Sequence, residues 1–358
     1  MTLLWVNLFL VFIFAFFARY AATPRLTINA AVPIKPNKVL IFGALVSLVA
    51  ISGLRSSIGD TGAYKRIYVI NDFSWEFIQS QGDIGFGILQ MLLKNYVSDD
   101  PQILIFTTAL ITNLLVVIVL YNYSRMIDLS LYVYITGGLF LVSMNGIRQV
   151  LAAAILFIGT KYLIEGNFFK YSLIVVLASF IHQSALILLP IYFLVRLKAW
   201  SKATVALVIF SFFIALGFDR FSVLLFSAIE GSQYGGYQDF NEGGASILRV
   251  VVDAVPIVIA YLGRNKLKKI WPDSDYIVNM ALVGMVFMII ATQNWIFARF
   301  SIYFDLYQLI LISWIIKIFR EKDQKLIYLV IIVCYFAYYF YENVITLNIN
   351  YRSDYFIW

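Results

Sequence analysis

YSLIVVLASFIHQSALILLPIYFLV, residues 171–195, decides how the rest of the chain is oriented. Two apolar runs, 171–181 and 184–195, flank Ile181-His182-Gln183-Ser184. The stretch is too short for two full crossings of a bilayer, each of which needs roughly 17–25 helical residues. The charges on either side nonetheless require the chain to return to the face it left. A hairpin of two half-helices meets both demands, provided protein buries its turn. A single broken span is the alternative, and it would invert everything downstream.

The composition sets the class. The chain has 358 residues, 62% of them hydrophobic and 13% charged, with a mean hydropathy of +0.85. No soluble domain of this length reads that way. The apolar stretches are long rather than alternating ten-residue segments, which argues against a barrel. We expect an all-α polytopic bundle forming one integral membrane domain over 1–358. Full spans are expected near 3–20, 38–54, 101–121, 129–144, 148–164, 203–218, 247–263, 277–293, 298–318 and 325–341, besides the half-helix hairpin. The first span lacks a basic leader and a small-residue cleavage site, so it reads as retained. Two outer segments remain. Residues 55–100 read as short amphipathic or re-entrant helices, and 219–246 as a Gly-rich mobile loop. The lone Cys334 allows no intrachain disulfide, and a single His182 argues against a His-rich metal site. Nucleotide-binding and hydrolase signatures are missing from the sequence. Neither metal nor cofactor is expected. The pI near 9.2 reflects loop lysines rather than nucleic-acid binding.

With the hairpin, one side receives 18 of the 27 Lys and Arg but 6 of the 20 Asp and Glu. The positive-inside rule makes that side cytoplasmic and puts both termini outside. The basic residues differ in kind as well: 12 of the 18 inner ones are Lys, whereas 7 of the 9 outer ones are Arg. Lysine suits solvated topology signals, and arginine suits fixed pairing with phosphate or carboxylate. Arg55, Arg148, Arg249 and Arg299 sit at span ends on the acidic side. Charge near hydrocarbon costs about 2.5–3.5 kcal/mol at the centre of a span, so such residues are functional candidates. Clustered guanidinium groups suggest an anion site, with phosphate the natural ligand.

Each motif has two readings. Arg55 lies beside the turn Gly59-Asp60-Thr61 with Tyr64 beyond. It could help hold a diphosphate, or pair locally with Asp60. Asp83 opens a short apolar helix, either as its N-cap or as a carboxylate that orients or deprotonates a sugar hydroxyl. Asn145-Gly-Ile-Arg148-Gln149 joins two spans at the outer face. Arg148 at a helix start favours an anion, and Asn145 and Gln149 offer amides to sugars; the plain reading is a polar turn. His182 is either a bonded core histidine or a general base or diphosphate ligand at a break in a hairpin. Arg249 and Asp253, four apart, could simply pair. Arg299 lies at the outer end of a span with Tyr303 and Asp305 deeper, either around an anionic headgroup or as an internal pair.

In order along the chain stand Arg55 with Gly59-Asp60-Thr61 and Tyr64; Gly85-Phe86; Asn145-x-x-Arg148-Gln149 running into Leu151-Ala152-Ala153-Ala154; Ile181-His182-x-Ser184-Ala185; and Arg299-Phe300-x-x-Tyr303-Phe304. This ordered set resembles the EpsG family of Wzy-type polysaccharide polymerases and covers nearly the whole chain. Two departures are Asp83, where the family pattern has Glu, and Ile181 before the histidine. The resemblance implies an enzyme that joins oligosaccharide repeat units carried on undecaprenyl diphosphate, at the outer face of a bacterial inner membrane. It implies a diphosphate clamp from Arg148, Arg55 and Arg299, and a base or sugar-positioning group among His182, Asp60 and Asp83. It also implies membrane lipids as surroundings, a lipid-linked glycan as substrate, and a chain-length regulator and a flippase as candidate partners. Competing classes are an O-antigen ligase-type transferase, a transporter or flippase of lipid-linked sugars, and a membrane acyltransferase.

Overall fold

A computed structural model of the chain describes residues 1–24, 32–228 and 243–356. The described residues are mostly helical and include one two-stranded antiparallel ribbon, Thr23–Pro24 with Ile34–Lys35. Five helices are long and apolar enough to cross a membrane: Thr2–Tyr20, Gln102–Tyr123, Ser274–Ala291, Ile296–Ile318 and Glu321–Thr346. A sixth span forms if Ile127–Thr136 and Leu139–Asn145, bent by 54°, are counted together. The bend falls at Gly137-Gly138, where Gly138 has a φ of +93° that suits only glycine comfortably.

Ten full spans were expected, and the difference has a physical cause. Lys38–Gly53 has 16 residues, and Lys202–Leu216 has 15. At 1.5 Å per residue these reach about 22–24 Å, short of a hydrocarbon core of roughly 30 Å. The expected span 148–164 is divided into Ile147–Ile158 and Thr160–Glu165. A Cβ at the intervening Gly159 would lie 2.8 Å from the Leu156 carbonyl. Ile247–Leu262 has 16 residues, contains Pro256, and carries both Arg249 and Asp253. The segment 170–196 breaks where the sequence places the turn. Helix Phe168–Ile181 ends at His182, whose backbone is extended, and a 3-10 helix Gln183–Ile187 leads into Leu188–Val195. Residues 55–100 form the expected short helices, Thr61–Ile70, Trp75–Ser80 and Ile84–Tyr96. Of the loop expected over 219–246, Phe218–Ala228 is helix, and 229–242 lies outside the described residues.

The described residues pack as two compact units, one of 1–189 with 312–358 and one of 190–311. In the first, helices neighbour one another in a series. Glu321–Tyr339 packs on Ile127–Thr136, which packs on Thr2–Tyr20. Thr2–Tyr20 packs on Lys38–Gly53, then come Gln102–Tyr123, Ile147–Ile158, Phe168–Ile181 and Ile84–Tyr96. Small residues allow the close approaches: Ala152, Ala153 and Ala154 are fully buried, and a Cβ on Gly53 would meet the Phe106 ring at 2.9 Å. Asn37 caps Lys38–Gly53 by accepting from the Val39 and Leu40 N–H groups. The three short helices of 61–96 seat Tyr68, Phe73, Ile78, Phe86 and Leu93 on Leu104, Ile105 and Ile147. In the second unit, Ser274–Ala291 packs against Lys202–Leu216 and Ile247–Leu262. Its aromatic core includes Phe287 stacked on Phe304 at 5.6 Å.

Candidate functional site

Asp83 occupies the N-cap position of Ile84–Tyr96, yet its side chain makes no capping bond. Its carboxylate turns to three groups far along the chain. Oδ2 lies 2.9 Å from His182 Nδ1 and accepts from Arg148 Nη1 at 2.9 Å. Oδ1 accepts from the Gln183 N–H at 3.1 Å. Asp83 is buried, the His182 side chain is 12% exposed, and the Arg148 side chain is 36% exposed. A carboxylate at Nδ1 favours the tautomer in which Nδ1 donates, so Nε2 is left as the acceptor.

Local sequence explains why these groups meet. The break after Ile181 frees His182 from helical geometry and places the next N–H, that of Gln183, against Asp83. Gly85 allows the two segments to touch: a Cβ there would lie 2.9 Å from both the Phe180 Cβ and the Phe180 carbonyl oxygen. Arg148 stands at the second residue of Ile147–Ile158, which begins after Gly146. The Gly85-Phe86 and Ile181-His182 motifs are therefore two halves of one helix contact.

A second network braces the site. Arg55 is buried, and Nε donates to Thr61 Oγ1 at 2.9 Å, Nη2 to the Met144 carbonyl at 2.8 Å, and Nη1 to the Ser52 carbonyl. Its partner is Thr61 rather than Asp60. Burial pulls its pKa down to about 10, which still leaves it charged at neutral pH. Asn145 Oδ1 accepts from the Asp60 N–H at 3.0 Å. Gly59 has a φ of +50°, and a Cβ there would fall 2.0 Å from Asn145 Oδ1. The turn at 59–61 and the Met144-Asn145 corner thus interlock. The Asp60 side chain is exposed, Tyr64 is half-buried with its ring edge-on to Phe86, and Gln149 is buried.

Sequence reasoning missed the C-terminal segment. Arg352 O accepts from the Ser56 N–H at 2.9 Å, and Ser57 Oγ accepts from the Arg352 N–H at 2.8 Å. Tyr351 donates to the Ile51 carbonyl at 2.8 Å, and Ser353 donates to the Leu54 carbonyl at 2.5 Å. These bonds strap residues 350–353 across the turn that holds Arg55. A polar tail carries no periodic signal, so only the density of hydrogen-bonding side chains could have marked it.

The other candidates lie in the second unit. The Arg299 guanidinium stacks over Trp295 at 4.7 Å. Arg249 and Asp253 are one turn apart on Ile247–Leu262. Asp305 accepts from Ser301 at 2.8 Å, and Tyr303 is buried.

No curated protein and no solved structure matches the chain. A family model, described as the EpsG family, matches residues 38–353. That range takes in the Arg55 turn, Asp83, the Asn145–Gln149 corner, His182 and the strap as far as Ser353. The chain therefore belongs to the EpsG family of Wzy-type polysaccharide polymerases.

Proposed function

We propose that this chain polymerises lipid-linked oligosaccharide repeat units into a surface polysaccharide, with undecaprenyl diphosphate as the leaving group. Family membership supports polysaccharide polymerisation. The observation that carries the chemical reading is the buried Asp83 carboxylate that meets both His182 and Arg148. In this reading His182 Nε2 takes the proton from the attacking hydroxyl of one lipid-linked unit. That oxygen bonds to the anomeric carbon of the growing chain, and the bond from this carbon to the diphosphate breaks. Asp83 fixes the imidazole through Nδ1 and stabilises the imidazolium that forms. Arg148, part exposed beside the dyad, stabilises the charge that develops on the diphosphate. Proton transfer by a positioned group is worth roughly 10²–10⁴ in rate.

Arg55 enters as a positioning residue. Three of its five N–H donors are engaged by Thr61, Ser52 and Met144, so it holds the turn and adds buried positive charge beside the site. Asp60, exposed on that turn, and Asn145, Tyr64 and Gln149 are assigned to glycan positioning. Arg249, Arg299 and Tyr303 are kept as headgroup or glycan contacts of the second unit. The excess of Lys and Arg in the opposite loops supports a site on the outer face of the membrane, taken in this reading as a bacterial inner membrane. No metal is required, since guanidinium groups meet the diphosphate charge.

The test compares lipid-linked glycans from a deletion strain complemented with wild type or Arg148→Ala. A ladder with wild type that collapses to single repeat units in the variant supports the reading. Repeat units trapped on the cytoplasmic leaflet of the deletion strain point to a flippase, and a product attached to lipid A points to a ligase.

A further inference from the structure

The first unit carries a second concentration of charge at its other end. Gln102 starts helix Gln102–Tyr123 beside Arg55, donating to the Gly53 and Arg55 carbonyls at 2.6 and 3.2 Å. The helix then runs 22 residues, about 33 Å, to the opposite face. There Arg19 Nε lies 2.8 Å from Asp128 Oδ1, and Tyr328 donates to Asp128 Oδ2 at 2.7 Å. Asp128 is fully buried. Three residues before it, the Arg125 N–H donates to Ser313 Oγ at 3.0 Å. Lys317 stands one helical turn past Ser313, with Nζ donating to Gln324 Oε1 at 2.8 Å. Trp314 pins the corner by donating to the Tyr123 carbonyl at 2.9 Å.

Three cations thus gather near one another, and the one buried carboxylate beside Arg19 is already engaged by Arg19 and Tyr328. Among the described residues, neither an acid nor a hydrogen-bond acceptor meets the Arg125 guanidinium. Arg125 is half-buried. Burial, and then the nearby Arg19 charge, lower its pKa from the ordinary arginine value. Arg19 and Arg125 both repel Lys317, and Glu321 is the acid that opposes them there. Part-buried like charges that outnumber their counter-ions are costly, and an added anion with several oxygens relieves them. The surroundings suit a lipid: Phe17, Leu326 and Leu329 are 50%, 61% and 57% exposed on the two helices that carry Arg19 and Tyr328. Basic pockets between membrane helices bind phosphate headgroups on this principle.

We propose that Arg125, Arg19 and Lys317 bind the phosphate of an anionic phospholipid headgroup at the membrane face opposite the Asp83–His182 site. The shared chemistry is a phosphate on guanidinium and ammonium donors, and the apolar flanks assign it to a lipid rather than to free phosphate.

The experiment measures thermal unfolding of the full chain in neutral detergent with added phosphatidylcholine, phosphatidylglycerol or inorganic phosphate. Phosphatidylglycerol should raise the Tm of wild type several degrees above phosphatidylcholine, with little change from inorganic phosphate. Arg125→Gln should lose that rise and keep the phosphatidylcholine Tm, because its guanidinium holds no bond among the described residues. Lys317→Gln should lose part of the rise and carries the same test if Arg125→Gln fails to fold. Lys161→Gln, exposed elsewhere, should keep the full response. An equal response from wild type and the Arg125 and Lys317 variants overturns the site. A matching rise from inorganic phosphate overturns the lipid assignment, and a loss in Lys161→Gln reduces the effect to diffuse charge. None of these readouts depends on polymerase activity, so the outcome is independent of the proposed reaction.

Discussion

Asp83 and His182 stand 99 residues apart in sequence and 2.9 Å apart in space. The helix-opening aspartate leaves its own N–H groups uncapped and serves the histidine instead. A side chain that forgoes a local bond worth about 1 kcal/mol is held by something stronger, here two contacts to cationic or potentially cationic groups. His182→Gln should therefore lower chain extension roughly 10²–10⁴-fold, the range for loss of a general base. Membrane abundance should stay at wild-type level, since the break at His182 is set by the backbone. The rate is read from the glycan ladder formed by purified protein on lipid-linked repeat units. Wild-type ladders from this variant would remove His182 from the chemistry.

Asp83→Asn and Asp83→Glu separate charge from reach. The amide can still accept from the Gln183 N–H, but it takes the Asp83 charge away from Arg148 and no longer orients a protonated Nδ1. It should behave like His182→Gln. The glutamate keeps the charge and has one more methylene, the side chain of the family pattern at this position. It should retain far more activity than the amide. Equal activity in the two variants would show that the negative charge is not used.

Arg55→Lys tests the assignment of Arg55 to positioning. A lysine cannot reach Thr61, Ser52 and Met144 together, because a single ammonium lacks the planar fork. Each buried bond to a charged group is worth about 1.5–3 kcal/mol, so the variant should lose folded protein. We expect a lower Tm and a lower yield, with KM for the glycan nearly unchanged in whatever folds. A stable variant with a raised KM would instead place Arg55 in contact with the diphosphate.

Much of the fold was legible, and the reason is periodicity and charge. Long apolar runs gave Thr2–Tyr20, Gln102–Tyr123, Ser274–Ala291 and Ile296–Ile318 nearly to their ends, and the middle of Glu321–Thr346. The break at His182 followed from the length of 171–195 together with the charges that flank it. What could not be read were interruptions set by packing, such as the bend at Gly138 and the division at Gly159. Hydropathy is blind to the bend at Gly138, because both sides of it are apolar, and a single glycine at 159 leaves no mark on it. Within the site, the residue types were visible and their pairings were not. Arg55 beside Asp60 invited a local pair, yet its guanidinium reaches Met144, 89 residues away. Asp83 carried a strong local prior as a cap, and a contact at long sequence separation overrode it.

Gly59→Ala should be disabling out of proportion to its size. The left-handed backbone costs a non-glycine residue roughly 1–2 kcal/mol, and the new methyl would displace the Asn145 side chain. Asn145→Ala alone should remove the bond to the Asp60 N–H and weaken activity moderately. The double variant should be less harmful than the sum of the two, because both act on one contact. Full additivity in thermal stability would show that Gly59 and Asn145 do not share that contact.

The C-terminal strap gives the last prediction. Tyr351 is buried and bonds to Ile51, Ser353 bonds to Leu54, and Arg352 brackets Ser56 and Ser57. All four partners flank Arg55, whose bonds in turn hold the 59–61 turn and the Asn145 corner. Ending the chain after Ile349 should therefore loosen the turn from behind, although among the described residues none of those removed bonds to the Asp83 or His182 side chain. We expect loss of the polysaccharide ladder with the membrane helices still inserted, seen as normal abundance and raised proteolysis within 54–61. Tyr351→Phe removes one bond of about 1 kcal/mol and should retain most activity. If the truncated chain polymerises normally, the strap is dispensable and the Arg55 turn holds itself.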